Sequence, residues 1–214
     1  MNHLHRPAGA RFLHLWVAGA SAVFLLMTLG LLTGRLAPFD SWVYSRVAAC
    51  ISPRLTGPAV FITHLGGDRV LITAAVVVFL FLWKKQSLIT ALVTAAILPL
   101  SSLVNTAMKY LFLRQRPSVL RLVEIGGYSF PSGHSFVSMS FYGLLIVLAL
   151  HLLPRGRRLW LCLPLGALIA AIGLSRIYLG VHYASDVLAG LCGGFVWLTA
   201  YRRGATRLWP RLPL

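Results

Sequence analysis

The chain has 214 residues, of which 58% are hydrophobic and only 11% charged, with a mean hydropathy of +0.80. A soluble domain of this length carries roughly a quarter charged residues, so the composition excludes a water-coated globule and implies an integral membrane protein. Twenty Lys and Arg stand against four acids, Asp40, Asp68, Glu124 and Asp186, for a net charge of +16; no basic stripe is interleaved with base-stacking aromatics, which argues against nucleic acid as a partner.

Taken in order, apolar runs occur at 12–32, 70–83, 87–108, 135–153, 159–174 and 181–201. A helix crossing the hydrocarbon core needs about 20 residues. Four runs reach that length; the second borrows from the 57–65 stretch and the fifth from its flanks. The expectation is an all-α, polytopic protein with six transmembrane helices in one bundle, residues 1–214 forming a single domain. Ala18-Gly19-Ala20 in the first run has the small-x-small form of a signal cleavage site, but only about six apolar residues precede it and the run continues past it. The reading is a retained helix. Cys50, Cys162 and Cys192 form no CxxC motif and no metal-spaced cluster, and they receive no role.

Orientation follows from Lys and Arg in short loops. Lys84-Lys85, the Arg155–Arg158 cluster and Arg202-Arg203 alternate with the other loops, and Arg6 and Arg11 fall on their side by parity. Both termini are therefore expected in the cytoplasm. Lys109, Arg114, Arg116, Arg121 and Arg176 lie on the opposite face, against the positive-inside tendency, which points to a task other than topology.

The same parity brings three polar stretches to one layer of the membrane: KYLFLRQRP (109–117), FPSGH (130–134) and SRIYLGVHYASD (175–186). Taken alone, each has a structural explanation, such as a snorkelling cation or a helix cap. Their shared depth does not. Lys109 and Arg116, read as lying two turns apart on one helix face with Pro117 as the stop, join Arg176 in a set of cations suited to a multiply charged anion. Pro131-Ser132-Gly133-His134 reads as a helix start whose open backbone N–H groups cradle phosphate, with the Ser132 hydroxyl as a further donor and His134 beside it as a proton donor. His182 and Asp186, spaced i,i+4 at the start of the sixth helix, share a face. A carboxylate on one ring nitrogen leaves the other as an attacking lone pair. No carboxylate cluster is spaced for Mg²⁺, so no metal or other cofactor is expected. The combination suggests phosphoryl transfer.

K-x6-R-P at 109–117, P-S-G-H at 131–134 and S-R-x5-H-x3-D at 175–186 together resemble the three-part signature of the type 2 phosphatidic acid phosphatase and vanadium haloperoxidase superfamily, with no departure inside the motifs and a similar six-helix plan. The resemblance implies metal-independent dephosphorylation of a lipid phosphate through a phosphohistidine. His182 would attack phosphorus, Asp186 orient it, and His134 protonate the leaving oxygen and then activate water. Lys109, Arg116, Ser132, Gly133 and Arg176 would hold the phosphoryl oxygens. The implied substrates are undecaprenyl pyrophosphate, phosphatidylglycerol phosphate, phosphatidic acid or diacylglycerol pyrophosphate, the first two favoured. The similarity to compact bacterial members implies a plasma-membrane protein whose site faces the periplasm or exterior.

Two alternatives remain open: a lipid-to-lipid phosphotransferase using the same residues, and a protein that binds or translocates phospholipids without chemistry. A haloperoxidase is disfavoured, and vanadate is expected to inhibit. Arg114 and Arg121 read as solvated loop charges, with contact to a second phosphate or headgroup as the lesser reading. The stretch THLGGDR (63–69) also resembles one found in bacterial members, the alternative being that Gly66-Gly67-Asp68-Arg69 is only a turn that starts the second helix, and His14 and His151 read as structural.

Overall fold

The structure is a computed structural model that describes residues 8–214, with side chains from Phe12 onward. Arg6 and the side chain of Arg11, used above for orientation, lie outside the described residues. Eight helices follow in order: α1 (Ala8–Leu32), α2 (Ala37–Ala48), α3 (Pro53–Leu65), α4 (Asp68–Lys85), α5 (Leu88–Phe112), α6 (Gly133–Leu152), α7 (Arg155–Tyr178) and α8 (Ala184–Leu208). No strand occurs among the described residues.

Five of these helices, α1, α5, α6, α7 and α8, are long and apolar enough to cross a membrane. The expected second span is a pair: α3 and α4 meet at Gly66-Gly67 with a bend of 47°, and counting the pair as one crossing gives six. The borrowing from 57–65 is therefore real, but it takes the form of a separate helix. The short α2 falls in none of the apolar runs. It starts where Pro38 supplies a φ suited to the first helical turn, and it leans on α7 and α8.

α6 forms the centre, packed against α5, α7 and α8, while α1 lies on α8, α4 on α5 and α3 on α7. Burial follows that order, with 61% of the spanning stretch buried in α6 against 6% in α1. Phe136, Phe141 and Leu144 of α6 and Ile172 of α7 fill the interior. The outer helices turn Leu25, Leu26, Leu29, Val76, Val77 and Leu103 outward, a face that lipid tails solvate at no cost because every helical amide is already bonded.

Local chemistry sets the helix ends that matter for the site. Ser87 caps α5, its hydroxyl accepting the Thr90 N–H at 3.1 Å. At the other end Leu113 adopts a left-handed conformation (φ 49°) and closes α5 through its N–H on the Lys109 carbonyl. The helix therefore stops at Phe112, not at Pro117, and Arg116 does not share a helix face with Lys109 as the spacing suggested. Residues 113–132 run back over the end of the bundle. The α7–α8 turn depends on Gly180, whose φ is +71° and whose missing side chain would lie 2.2 Å from the Leu120 carbonyl oxygen. Only glycine lets the two connecting segments touch there.

Candidate active site

The C-terminal ends of α5 and α7, the N-terminal ends of α6 and α8, and the two connections 113–132 and 179–183 meet at one end of the bundle. Lys109, Arg116, Ser132, Gly133, His134, Arg176, His182 and Asp186 all lie there. His182 differs from its expected position: α8 begins at Ala184, so the histidine sits in the turn before the helix. The pairing with Asp186 survives because the carboxylate, in the first turn of α8, reaches back. Its Oδ2 accepts the Tyr183 backbone N–H at 3.0 Å and lies 3.4 Å from His182 Nδ1.

Ser129 supports this pair and carried no sequence signal. It is fully buried; its hydroxyl donates to Asp186 Oδ2 and lies 3.2 Å from His182 Nδ1. With its own proton given to the carboxylate, the Ser129 oxygen accepts from Nδ1–H. These contacts assign the proton to Nδ1 and leave the lone pair on Nε2. Burial, partly opposed by the hydrogen bond and charge of Asp186, pushes the His182 imidazole down to about 3, with Arg116 and Arg176 pushing the same way. The ring is neutral at physiological pH and able to act as a nucleophile.

Arg116 faces that lone pair, with Lys109 and Arg176 at the same end of the bundle. Arg116 Nη1 lies 3.1 Å from His182 Nε2 and donates to the Val181 carbonyl at 2.8 Å, while Nε and Nη2 hold the Gly126 carbonyl. Lys109 Nζ donates to the Tyr128 carbonyl at 2.5 Å. Arg176 is 2% exposed and gives Nη1 to the Thr63 hydroxyl, whereas its Nε and Nη2 are buried without a partner among the described residues. An orphaned guanidinium edge is costly unless an anion meets it. Thr63 thus gives the 63–69 stretch a part in the site. The turn after it does the same by shape: a side chain on Gly66 would meet Ile172 at 2.7 Å, Ser138 at 2.9 Å and the His134 ring at 3.3 Å.

His134 lies in the first turn of α6, within electrostatic reach of Arg176, His182, Arg116 and Lys109. Ser132 occupies the N-cap position without capping the helix; its hydroxyl instead accepts from Ser135 at 3.0 Å, and its N–H is held by the Asp186 carbonyl at 3.0 Å. The first-turn amides of α6 therefore stay available to an anion. Gly133 is fixed by crowding, since a Cβ there would lie 3.1 Å from Asn105 Oδ1 of α5.

The solvated reading of Arg114 is overturned. Its side chain is 11% exposed, with Nη2 on Asp40 Oδ2 at 2.7 Å and Nη1 on Asp186 Oδ1 at 2.5 Å and on Ser185 Oγ at 2.8 Å. Two carboxylates occupy its charge, so it is not a cation for a second phosphate. Arg121 remains exposed and folds onto the Pro117 carbonyl. At the far end of the bundle, His14 meets Arg203 at 3.1 Å and His151 bonds its own helix at Val147, both away from the site. Among the described residues, no group of three or more His, Cys, Asp or Glu stands together as metal ligands.

Residues 87–209 match the PAP2 superfamily. The chain belongs to that superfamily. Among PAP2 relatives it is 26% identical over 175 residues to phosphatidylglycerophosphatase B of Bacillus subtilis, an alignment covering 81% of this chain and 86% of that protein. It is 33% identical over 155 residues to a putative undecaprenyl-diphosphatase of Escherichia coli, covering 68% and 71%. In fold it superposes on the transmembrane PAP2 type phosphatidylglycerolphosphate phosphatase from Bacillus subtilis with a TM-score of 0.82 at 24% identity, over 90% of this chain and 96% of that one. The Aquifex aeolicus LpxE structure gives a TM-score of 0.59 at 22% identity, over 75% and 93%. The expected recognition and all-helical, multi-pass fold are thus borne out.

Proposed function

We propose that this PAP2 protein is an integral-membrane lipid phosphatase that hydrolyses a lipid phosphate or pyrophosphate monoester through a phosphohistidine on His182. The observation that carries the reading is the His182 Nε2 lone pair, backed by Asp186 and Ser129 and faced by Arg116, beside Arg176, which has two buried nitrogens without a partner among the described residues. Nε2 attacks phosphorus and the bond to the lipid oxygen breaks, with His134 giving its proton to that oxygen. Water then attacks the phosphohistidine, His134 takes the water's proton, and inorganic phosphate leaves. Lys109, Arg116 and Arg176, with the Ser132 hydroxyl and the Gly133 amide, stabilise the charge on the equatorial oxygens. The positive charge that a metal would supply is present in these side chains.

The names of the relatives bear on the substrate: phosphatidylglycerol phosphate and undecaprenyl pyrophosphate lead, with phosphatidic acid and diacylglycerol pyrophosphate behind. The protein lies in the plasma membrane with both termini in the cytoplasm and the site toward the periplasm or exterior. The deciding experiment measures phosphate release from these four lipids by purified protein in EDTA, beside His182→Ala. Release by wild type and none by the variant is expected, and the rates rank the lipids. Activity that vanishes in EDTA, or persists in the variant, sinks the mechanism. Phosphate appearing on an acceptor lipid instead of in solution favours the phosphotransferase.

A further inference from the structure

Asp40 and Arg114 form an ion-pair chain behind His182; Asp40 lies outside the three motifs, and Arg114 occupies a variable position of K-x6-R-P. The chain has four acids, and the two that are fully enclosed, Asp40 and Asp186, share one guanidinium. Asp40 comes from α2, 74 positions from Arg114. Its Oδ1 accepts the Ser185 backbone N–H at 2.9 Å and its Oδ2 the Ser185 hydroxyl at 2.8 Å, so a carboxylate from another helix caps the start of α8. Arg114 fills the space between the two acids. The face of its guanidinium lies 4.0 Å from the centre of the Tyr183 ring, and its edge reaches Asp40, Asp186 and Ser185. The donors therefore divide the Asp186 carboxylate: Oδ1 is held by Arg114, while Oδ2 is left for His182, Ser129 and the Tyr183 amide.

We infer that Arg114, clamped by Asp40, is a positioning residue that fixes the Asp186 carboxylate against His182 and tunes how much of its negative charge the nucleophile feels. The inference rests on the phosphohistidine reading. The Arg114 charge is shared between two carboxylates, so Asp186 keeps enough negative charge to hold Nδ1–H and turn Nε2 outward. Without Asp40, Arg114 would pair with Asp186 alone and compete with His182 for it. Without Arg114, two enclosed carboxylates would face each other. The other titratable or charged groups facing His182 are Arg116 of the 113–132 segment, Arg176 of α7 and His134 of α6, with Lys109 of α5 acting on His134.

The two substitutions push in opposite directions, and a purely structural role would not. Purified Asp40→Asn and Arg114→Met are compared with wild type and His182→Ala on the lipid that wild type hydrolyses fastest, recording kcat, KM and the pH profile of kcat/KM. Both should lose roughly 10–100-fold in kcat with little change in KM, the scale expected when a reacting group is misplaced. The acid limb should move to lower pH in Asp40→Asn, where a negative charge is lost, and to higher pH in Arg114→Met, where a positive one is lost. Substrate titration is common to all and cancels in the comparison. Limbs that stay still, or shift together, overturn the inference and leave the pair as a mere anchor for α2. If Arg114→Met is not monodisperse, Arg114→Lys decides: a fall in kcat with an unmoved limb is expected, and wild-type kcat overturns the inference. A wild type that releases no phosphate, or a His182→Ala that still does, removes the phosphohistidine reading and this inference with it, whereas an active wild type and inactive His182→Ala beside Asp40→Asn and Arg114→Met of wild-type activity remove the inference alone.

Discussion

A histidine in water holds its proton up to about pH 6.5; His182, enclosed at the turn before α8, gives its proton up down to about pH 3. Between those values the unfolded chain binds a proton that the folded one refuses, so stability rises with pH across the window and falls as the solution is acidified from about 6.5 towards 3. Thermal unfolding in detergent should show the melting temperature dropping below about pH 6.5 in wild type, with a shallower drop in His182→Gln, which keeps a polar side chain and cannot titrate. Equal slopes in the two proteins would contradict the enclosed neutral ring. At this scale the sequence made most of the polar groups that gather at the site legible, because Lys109, Ser132, His134, Arg176 and Asp186 sit in dense local patterns of unusual polarity. Ser129 and Asp40 were not legible. A serine two residues before a P-S-G-H motif looks like any loop residue, and the value of Asp40 appears only when a helix 74 positions from Arg114 is folded against it.

Helices meet closely only where their surfaces allow it, and α8 approaches α6 through glycine. A Cβ on Gly190 would lie 2.7 Å from the Ser132 carbonyl oxygen and 2.9 Å from the Ser135 Cβ, and one on Gly194 would lie 2.6 Å from the Phe136 carbonyl oxygen. Backbone atoms cannot step aside as a flexible side chain can. Gly190→Val should therefore push the Ser132–His134 start of α6 away from Asp186 and abolish phosphate release, while Gly57→Val, at a position with nothing within 4 Å, serves as the control and should retain most activity. Comparable activity in the two variants would show that the α6–α8 crossing does not position the site. Apolar runs predicted the spans well, since a bilayer rewards continuous greasiness, and the pieces they misjudged were decided elsewhere. Leu113 turns left-handed although nothing in its side chain asks for it, and α5 ends five residues before Pro117. The α3–α4 break is set by what Gly66 must fit against, Ile172 and Ser138 among them, so periodicity alone blurred it into one borrowed span.

Across the whole molecule, basic residues divide between the two ends. Lys84, Lys85, Arg155, Arg157, Arg158, Arg202 and Arg203 lie at the end far from the site, where Arg203 also meets His14, the distribution expected of a cytoplasmic face. The opposite end carries Cys50, an exposed thiol in the α2–α3 connection; the neighbouring Ser52 N–H is held by the Tyr178 hydroxyl at 3.1 Å, at the last residue of α7. In intact cells a membrane-impermeant maleimide should label Cys50 and spare a Cys50→Ser variant. Labelling only after the cells are broken would put the site on the cytoplasmic side.

A ribosome delivers the ion-pair chain behind His182 in pieces. Asp40 enters the membrane with the first helices, Arg114 follows after the α5 span, and Asp186 arrives 72 positions later with α8. Until then an acid and then a base wait at the membrane surface without their full complement of partners, each a polar flaw that chaperones and proteases can read. A chain halted before its last helix would hold Arg114 against one carboxylate and leave His182 without the Asp186 side chain beside it, so under the proposed mechanism a half-made protein would not cut lipids.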